Sequence, residues 1–450
     1  MFLSSWFLIL KEMKTRKKPL DKIHVVTLGC SKNTVDSEKL MLQLSAHALQ
    51  VEHNEENSDA RTIIINTCGF INDAKQESID TIVDYIQAKE NGLIDNLYVM
   101  GCLSERYADA LRKEMPEVDS FFGVNNIKDI IESLGYNYKD QLLGERILST
   151  PSHYAYLKIA EGCNRKCAFC AIPLIRGTYQ SVPVEMLIDE ARNLARDGVK
   201  ELMLIAQDIS YYGVDLYETP LLGYLVEQLA EIEEIEWIRL HYAYPSGFPK
   251  DVLKIMQQNP KVCKYLDIPF QHISDSMLKT MRRGLNKKKS LELIDYIRKQ
   301  VPEIALRTTL LVGHPGETEE DFEELLKFVE EAKFERLGVF PYSHEEDTYS
   351  YKKYKDSVPD KLKQQRADQI MELQQKISAQ INENRVGKEY KIIIDRKEDD
   401  FYIGRTEFDS PEVDNEVLVY TSIELTLGNF YNVRINEASE FDLVGELISK

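Results

Sequence analysis

The chain is poor in cysteine, with seven in 450 residues at uneven spacing, which is too few for the disulfide framework of a secreted protein. It also lacks a long apolar run. The opening MFLSSWFLIL is apolar for about ten residues, and its basic stretch KEMKTRKK follows that run, where an export signal would place it first. Neither an anchor nor a signal peptide is read there, so a cytoplasmic location with no membrane partner is expected. Met13 begins MKTRKKPLDKIHVV, an alternative start, and residues 1–20 are set aside as a tail or a misannotated extension. Positive charge is scarce. Against 75 Asp and Glu stand 56 Lys and Arg, for a net charge of -19. Such a surplus of carboxylates repels phosphate backbones and anionic membranes and attracts basic partners. No internal repeat or low-complexity tract stands out.

What is present is ample core material, with 43% apolar and 29% charged residues over a length that calls for two to four domains. From Ile23, the β-rich runs IHVVTLGC, TIIINTCGF and NLYVMGC alternate with amphipathic stretches. In one of these stretches Ile79, Ile82, Val83 and Ile86 share a helical face. This alternation predicts βαβ units and a parallel sheet over residues 21–147. A second series, residues 148–384, predicts six strands at 155–160, 200–206, 236–241, 264–268, 304–312 and 336–342, an open (β/α)6 barrel. Its helix 184–197 stops at Gly198, and a charged helix spans 360–384. Residues 385–450 change to KEYKIIID, FYIGRTEF, NEVLVYT and FYNVRINEAS, a small antiparallel β-barrel. The fold class is α/β with that barrel appended.

The sharpest chemical signal is Cys163-Asn164-Arg165-Lys166-Cys167-Ala168-Phe169-Cys170 directly after a strand. Three thiolates on one loop can occupy three irons of a 4Fe-4S cube and leave the fourth open to a ligand. A zinc site completed by a distant histidine is the alternative. The loop closely resembles that of the radical S-adenosylmethionine (SAM) superfamily, down to the aromatic Phe169 and the preceding strand. That resemblance implies that the open iron chelates the amino and carboxylate groups of SAM, whose reductive cleavage gives a 5′-deoxyadenosyl radical. A second set, Cys30, Cys68 and Cys102, follows three predicted strands at intervals of 38 and 34 residues, about one βαβ unit each. In a parallel sheet all three would emerge at the carboxyl edge and could converge on a second cube. Three separate buried cysteines are the plainer reading.

Leu28-Gly29-Cys30-Ser31-Lys32-Asn33, Asn66-Thr67-Cys68-Gly69-Phe70, Gly101-Cys102-Leu103 and EGCNRKCAFC together resemble the radical SAM methylthiotransferases from about residue 21 onward. The resemblance implies an N-terminal methylthiotransferase domain with an auxiliary 4Fe-4S cluster, a radical SAM domain and a terminal TRAM domain, an OB-like barrel. Within the family, LGCSKNTVDSE, NTCGFINDAKQESIDTI and LIAQDISYYG are most like the branch that modifies an aspartate of ribosomal protein uS12. Ser31 departs from the Pro of many members of that branch, with no loss of ligation expected. By this resemblance the auxiliary cluster holds a sulfur species, and SAM is used twice, as methyl donor and as radical source. Expected partners are uS12, free or in the small subunit, an electron donor such as flavodoxin or ferredoxin, and a sulfur donor.

Further candidates are less distinctive. Gln207 and Asp208 end a strand where the superfamily often has Gly-Gly-Glu on the SAM amino group, and here the residues differ. Gly313 and Gly316 in VGHPGE could let the backbone approach adenine or simply form a βα turn. His272 could face the pocket, Cys263 has no companion, and Tyr211-Tyr212 could stack on a base or pack internally.

Two other functions compete: the same chemistry on a tRNA adenosine, and a non-enzymatic, metal-stabilised nucleic-acid-binding module. Against the module stands the open-iron arrangement, which a purely structural site does not need, and against tRNA stands charge, because residues 386–450 carry 7 basic and 15 acidic residues. Such a barrel repels tRNA and complements a basic ribosomal protein, with Glu398, Asp399, Asp400, Asp409, Glu412 and Asp414 expected on the recognising face.

Overall fold

The computed structural model describes residues 22–448, so the tail assigned to residues 1–20 lies outside the described residues. Three sheets follow one another along the chain. The first is wholly parallel, in the order β2-β1-β3-β4-β5, from β1 (Lys22–Thr27), β2 (Gln50–His53), β3 (Thr62–Thr67), β4 (Asn96–Gly101) and β5 (Ser120–Phe121). All six residues of β3 are buried. Its unbroken run TIIINT is what a central parallel strand covered on both faces requires. β2 and β5 were not foreseen, since QVEH has little apolar content and SF is only two residues long. The helix Asn72–Glu90 buries Ile82, with Ile79 and Ile86 half-buried, whereas Val83 is exposed. The expected four-residue stripe is therefore narrower. Ser78 takes the buried position instead, and its Oγ accepts from the Cys68 N–H at 3.0 Å.

A short antiparallel pair, β7 (Ala160–Glu161) with β8 (Gln180–Ser181), follows β6 (Tyr154–Lys158) and brackets the CxxxCxxC loop. The second large sheet runs β13-β12-β11-β10-β9-β6, again wholly parallel, with β9 (Glu201–Ile205), β10 (Trp237–Leu240), β11 (Val262–Asp267), β12 (Ala305–Val312) and β13 (Arg336–Pro341). These are the six strands expected. Alternation divides their side chains between two faces. Leu202, Leu204, Ile238, Leu240, Leu266 and Leu306 pack with the apolar faces of the surrounding helices. Helix Val184–Arg196 contributes Leu187, Ala191 and Leu194 to that layer, and burying one such leucine is worth about 1.5–3 kcal/mol.

The third sheet is a closed barrel, β14-β15-β16-β18-β17, from β14 (Glu389–Glu398), β15 (Phe401–Thr406), β16 (Val417–Tyr420), β17 (Phe430–Ala438) and β18 (Leu443–Leu447). It is not purely antiparallel. The unforeseen β18 pairs parallel with β16 and antiparallel with β17, and this closes the ring and removes the exposed edges.

The barrel docks at the amino-terminal ends of the second sheet's strands through ion pairs. Arg239 and Arg405 share Glu201, each at 2.8 Å, and Arg405 also holds Asp395, which accepts from or pairs with His153 at 2.8 Å. Two residues expected on an outer recognising face belong to this interior contact. Asp409 is fully buried between Arg336 (Nε 3.1 Å) and Arg385, and Asp414 accepts from Tyr265 at 2.8 Å and pairs with Arg307 at 3.4 Å. Glu412 is exposed, yet its carboxylate turns inward to the Tyr154 and Tyr156 hydroxyls at 3.3 and 3.4 Å. A charge count could not tell these three from solvated carboxylates, because Arg336, Tyr265 and Tyr154, to which they bind, lie more than 70 residues away. Glu398, Asp399 and Asp400 remain exposed at the turn between β14 and β15. Among the described residues no helix is long and apolar enough to cross a membrane.

Candidate active site

β1, β3 and β4 are neighbours, so the loops that leave their carboxyl ends are neighbours too. Cys30 precedes helix Ser31–Ser45, Cys68 follows β3 directly, and Cys102 is the first residue of helix Cys102–Glu114. The three cysteines thus leave neighbouring strand ends at one sheet edge, as parallel βαβ order requires. Gly29 adopts φ +90, and a Cβ there would stand 2.7 Å from Cys68 Cβ, so this close approach of two ligand loops requires glycine. Burial pushes the Cys68 thiol up to about 12, and the neighbouring Cys30 and Cys102 push it further in the same direction. Burial raises Cys102 as well, against the pull of Arg176.

The second set lies on the loop that leaves the β6–β7 end of the other sheet. Burial raises the Cys163 thiol to about 11 and raises Cys170 further, each reinforced by a neighbouring thiol of the set. One guanidinium, one backbone N–H and one phenol hydroxyl lie against these sulfurs. Arg283 Nη1 donates to Cys167 Sγ at 3.1 Å, the Arg165 N–H reaches Cys163 Sγ at 3.4 Å, and the Tyr244 hydroxyl lies 3.6 Å from Cys167 Sγ. The Arg165 and Arg283 guanidiniums flank the Tyr244 ring, at 4.2 and 4.4 Å. Positive hydrogen-bond donors aimed at sulfur are what a thiolate-held cluster needs and what an inert core cysteine does not. Each set has one such charged donor, Arg283 on Cys167 and Arg176 on Cys102, and on this ground its residues are chemically suited to a cluster. Among the described residues no three His, Cys, Asp or Glu side chains stand close enough together to ligate a single metal ion.

The remaining candidates fall unevenly about this centre. Gln207 Nε2 donates to Glu161 Oε1 at 2.8 Å, while its own Oε1 is buried without a protein partner. Asp208 is committed to the cluster loop: Oδ2 accepts from Arg165 Nε at 2.7 Å and Oδ1 from the Ser210 N–H at 2.9 Å. Phe169 packs against Met281, Leu311 and Tyr342. A Cβ on Gly313 would stand 2.2 Å from Lys363 Cγ, so that glycine admits the lysine stem, and its N–H closes the turn onto Glu317 at 2.6 Å. Gly316 has open space above it, with only Met277 nearby. His272 is fully buried, accepts from the Ser274 N–H and is pushed down to about 3 by burial, so it is neutral at pH 7. Cys263 lies in the apolar contact between the second sheet and the barrel, with Trp237, Ile393 and Phe408. Tyr212 is fully buried with its hydroxyl on the Val182 carbonyl, and Tyr211 meets Tyr179 edge-on, so the pair packs internally.

Sequence reasoning missed the polar bridge between the two sheets. Lys158 pairs with Asp36 and with Glu161 at 2.8 Å, and Arg176 pairs with Asp36 at 2.8 Å and Glu161 at 3.0 Å. Burial alone would raise Glu161, but Lys158 and Arg176 override it and hold the carboxyl at about 2. The nearest signals were Asn33, within the LGCSKN motif, and Arg176, six residues after Cys170. Neither spacing reveals a contact across 140 residues.

A parallel strand array with a CxxxCxxC loop at its carboxyl edge defines the class: a radical SAM enzyme, using SAM and an iron-sulfur cluster. Family models match in the same order: Uncharacterized protein family UPF0004 over residues 22–123, the Radical SAM superfamily over 157–329 and the TRAM domain over 386–448. The ribosomal protein uS12 methylthiotransferase RimO of Cytophaga hutchinsonii is 54% identical over 97% of this chain and 100% of its own. That of Flavobacterium johnsoniae is 56% identical over 96% and 100%. The chain belongs to this RimO methylthiotransferase family. Among solved structures, the radical SAM methyltransferase TsrM of Kitasatospora setae, with tryptophan and a SAM analogue bound, superposes with a TM-score of 0.53 at 13% identity, over 71% of this chain and 72% of its own. That likeness shows the fold alone.

Proposed function

We propose that this enzyme attaches a methylthio group to an aspartate of ribosomal protein uS12, at a C–H bond that is otherwise unreactive. Residues 21–147 would carry the auxiliary cluster on Cys30, Cys68 and Cys102, residues 148–384 the radical cluster on Cys163, Cys167 and Cys170, and residues 385–450 the TRAM barrel. What supports the reading is the 54% identity to a uS12 methylthiotransferase over 97% of this chain, together with an ion-paired seam that joins the regions carrying the two cysteine sets. When bound, the clusters and SAM supply the radical that opens the C–H bond, the sulfur that replaces the hydrogen and the methyl group that caps it.

The chain's own residues bind, orient and exclude water. Arg165 and Asp208 brace the radical loop, and Tyr244 is fixed by donating to the Arg283 carbonyl at 2.7 Å. The free Oε1 of Gln207 is a ready acceptor for an ammonium group such as that of SAM. Gly316, beside open space, is the better placed of the two turn glycines for a close backbone approach, and Phe169 supports the loop from below. A one-electron donor of the flavodoxin or ferredoxin class and a sulfur donor complete the balance. For the protein substrate, Glu398, Asp399 and Asp400 offer an exposed acidic turn to a basic partner. The test is anaerobic reconstitution with SAM and reductant, followed by mass analysis of both uS12 and tRNA. A methylthio mass on the uS12 aspartate is expected, and modified tRNA with unmodified uS12 overturns the reading.

A further inference from the structure

Arg176 stands where the two thiol sockets meet, and the reaction assigned above gives it no role. It follows the short helix Ile172–Ile175, close behind Cys170, and is 4% exposed. Its Nη1 donates to Asp36 of the first sheet's region and to Glu161 of the second, at 2.8 and 3.0 Å. Its Nη2 donates to Asn33 Oδ1 at 2.5 Å and to Cys102 Sγ at 3.4 Å. Both ends of this contact lead onward. Asn33 Nδ2 donates to the carbonyls of Leu28 and Thr67, at 2.8 and 3.0 Å, just ahead of Cys30 and Cys68. Glu161 Oε1 accepts from Gln207, whose free oxygen is the ammonium acceptor described above. One guanidinium thus joins the loops of all three auxiliary thiols to the SAM side of the centre.

The charges sharpen the point. Lys158 and Arg176 are matched by Asp36 and Glu161, so the ion pairs balance without the sulfur. The N–H aimed at Cys102 is an additional interaction, made possible by the guanidinium's fan of donors. A charge-assisted hydrogen bond to a sulfur ligand favours the more reduced, more negative state of an iron-sulfur cluster. We propose that Arg176 is a positioning residue for methylthiolation, which registers the auxiliary socket against the SAM site and raises the potential of the cluster held there. The inference rests on the assignment of Cys30, Cys68 and Cys102 as cluster ligands.

The parent for the test is the reconstituted Cys163→Ala/Cys167→Ala/Cys170→Ala protein, which retains only the auxiliary site. Arg176→Gln and Arg176→Lys are compared in it by redox titration followed by electron paramagnetic resonance. The midpoint should move to more negative potential in Arg176→Gln and less far in Arg176→Lys. In the otherwise intact enzyme, 5′-deoxyadenosine formed per methylthio product should rise about tenfold for Arg176→Gln, the worth of one hydrogen bond to a charged group. An iron-free parent sinks the cluster assignment and the inference with it. An iron-loaded Arg176→Gln protein with parental potential and an unchanged product ratio sinks the inference alone. Should Arg176→Gln fail to load iron, Arg176→Lys decides. Lysine keeps the charge but cannot serve two carboxylates and the sulfur together, so wild-type potential and ratio in that variant also overturn the inference.

Discussion

Replacing Asp409 by Asn should loosen the terminal barrel from the radical SAM sheet, although both residues have nearly the same shape. The Asp409 carboxylate is fully buried, held by Arg336, by the Thr406 hydroxyl at 2.5 Å and by Arg385 at 3.8 Å. Arg336 and Arg385 are themselves nearly buried. Removing the anion leaves two cations in a low-dielectric contact, a situation that costs about 3–5 kcal/mol for a buried pair broken on one side. At about 1.4 kcal/mol per factor of ten, the open population should rise about 10²- to 10⁴-fold. A chain with several domains does not unfold in one step, so a single melting temperature is the wrong reading. Hydrogen-deuterium exchange within β15 and β16 reports the local opening directly. Asp399→Asn, at the exposed turn, is the internal control and should change exchange by less than about 0.5 kcal/mol. Burial pushes the Asp409 carboxyl up, but Arg336 and Arg385 outweigh it and hold it below the usual carboxylate range. The pair's contribution is therefore complete above the unfolded value near pH ~4. It is lost as pH falls through the lower folded value, so wild type and Asp409→Asn should converge only in that acidic window. Equal exchange in Asp409→Asn and Asp399→Asn at pH 7 would refute the docking argument.

Three further outcomes are expected. Replacing Cys163, Cys167 and Cys170 by Ala should lower reconstituted iron from about eight to about four per chain and abolish 5′-deoxyadenosine formation; persistence of that nucleoside refutes the radical-site assignment. Replacing Cys30, Cys68 and Cys102 should leave reductive SAM cleavage measurable while the methylthio product disappears. The ion-paired seam makes some loss of cleavage rate expected as well, and retained methylthiolation defeats the sulfur-carrier role. Reversing Glu398, Asp399 and Asp400 to Lys should weaken binding of uS12 and flatten its salt dependence, measured by titration at several ionic strengths; unchanged affinity places recognition elsewhere.

Local chemistry determined most of the plan. The six strands of the second sheet are visible because β-rich runs alternate with helical periods, and Cys163, Cys167 and Cys170 announce themselves because one compact loop carries all three thiols. Cys30, Cys68 and Cys102 were legible one step less directly: parallel βαβ order sends successive strand ends to one edge, and β1, β3 and β4 proved to be neighbours. Tertiary structure alone decided which polar residues serve inside. Asp409 and Asp414 read as surface acids until Arg336, Arg385, Tyr265 and Arg307 are brought to them. Arg176 reads as an ordinary loop arginine until Asp36, Asn33 and Cys102 arrive from the first sheet. The physical reason is common to both cases. Burial and pairing of a charge depend on partners far away in the chain, and neither residue type nor short-range spacing encodes where those partners will lie.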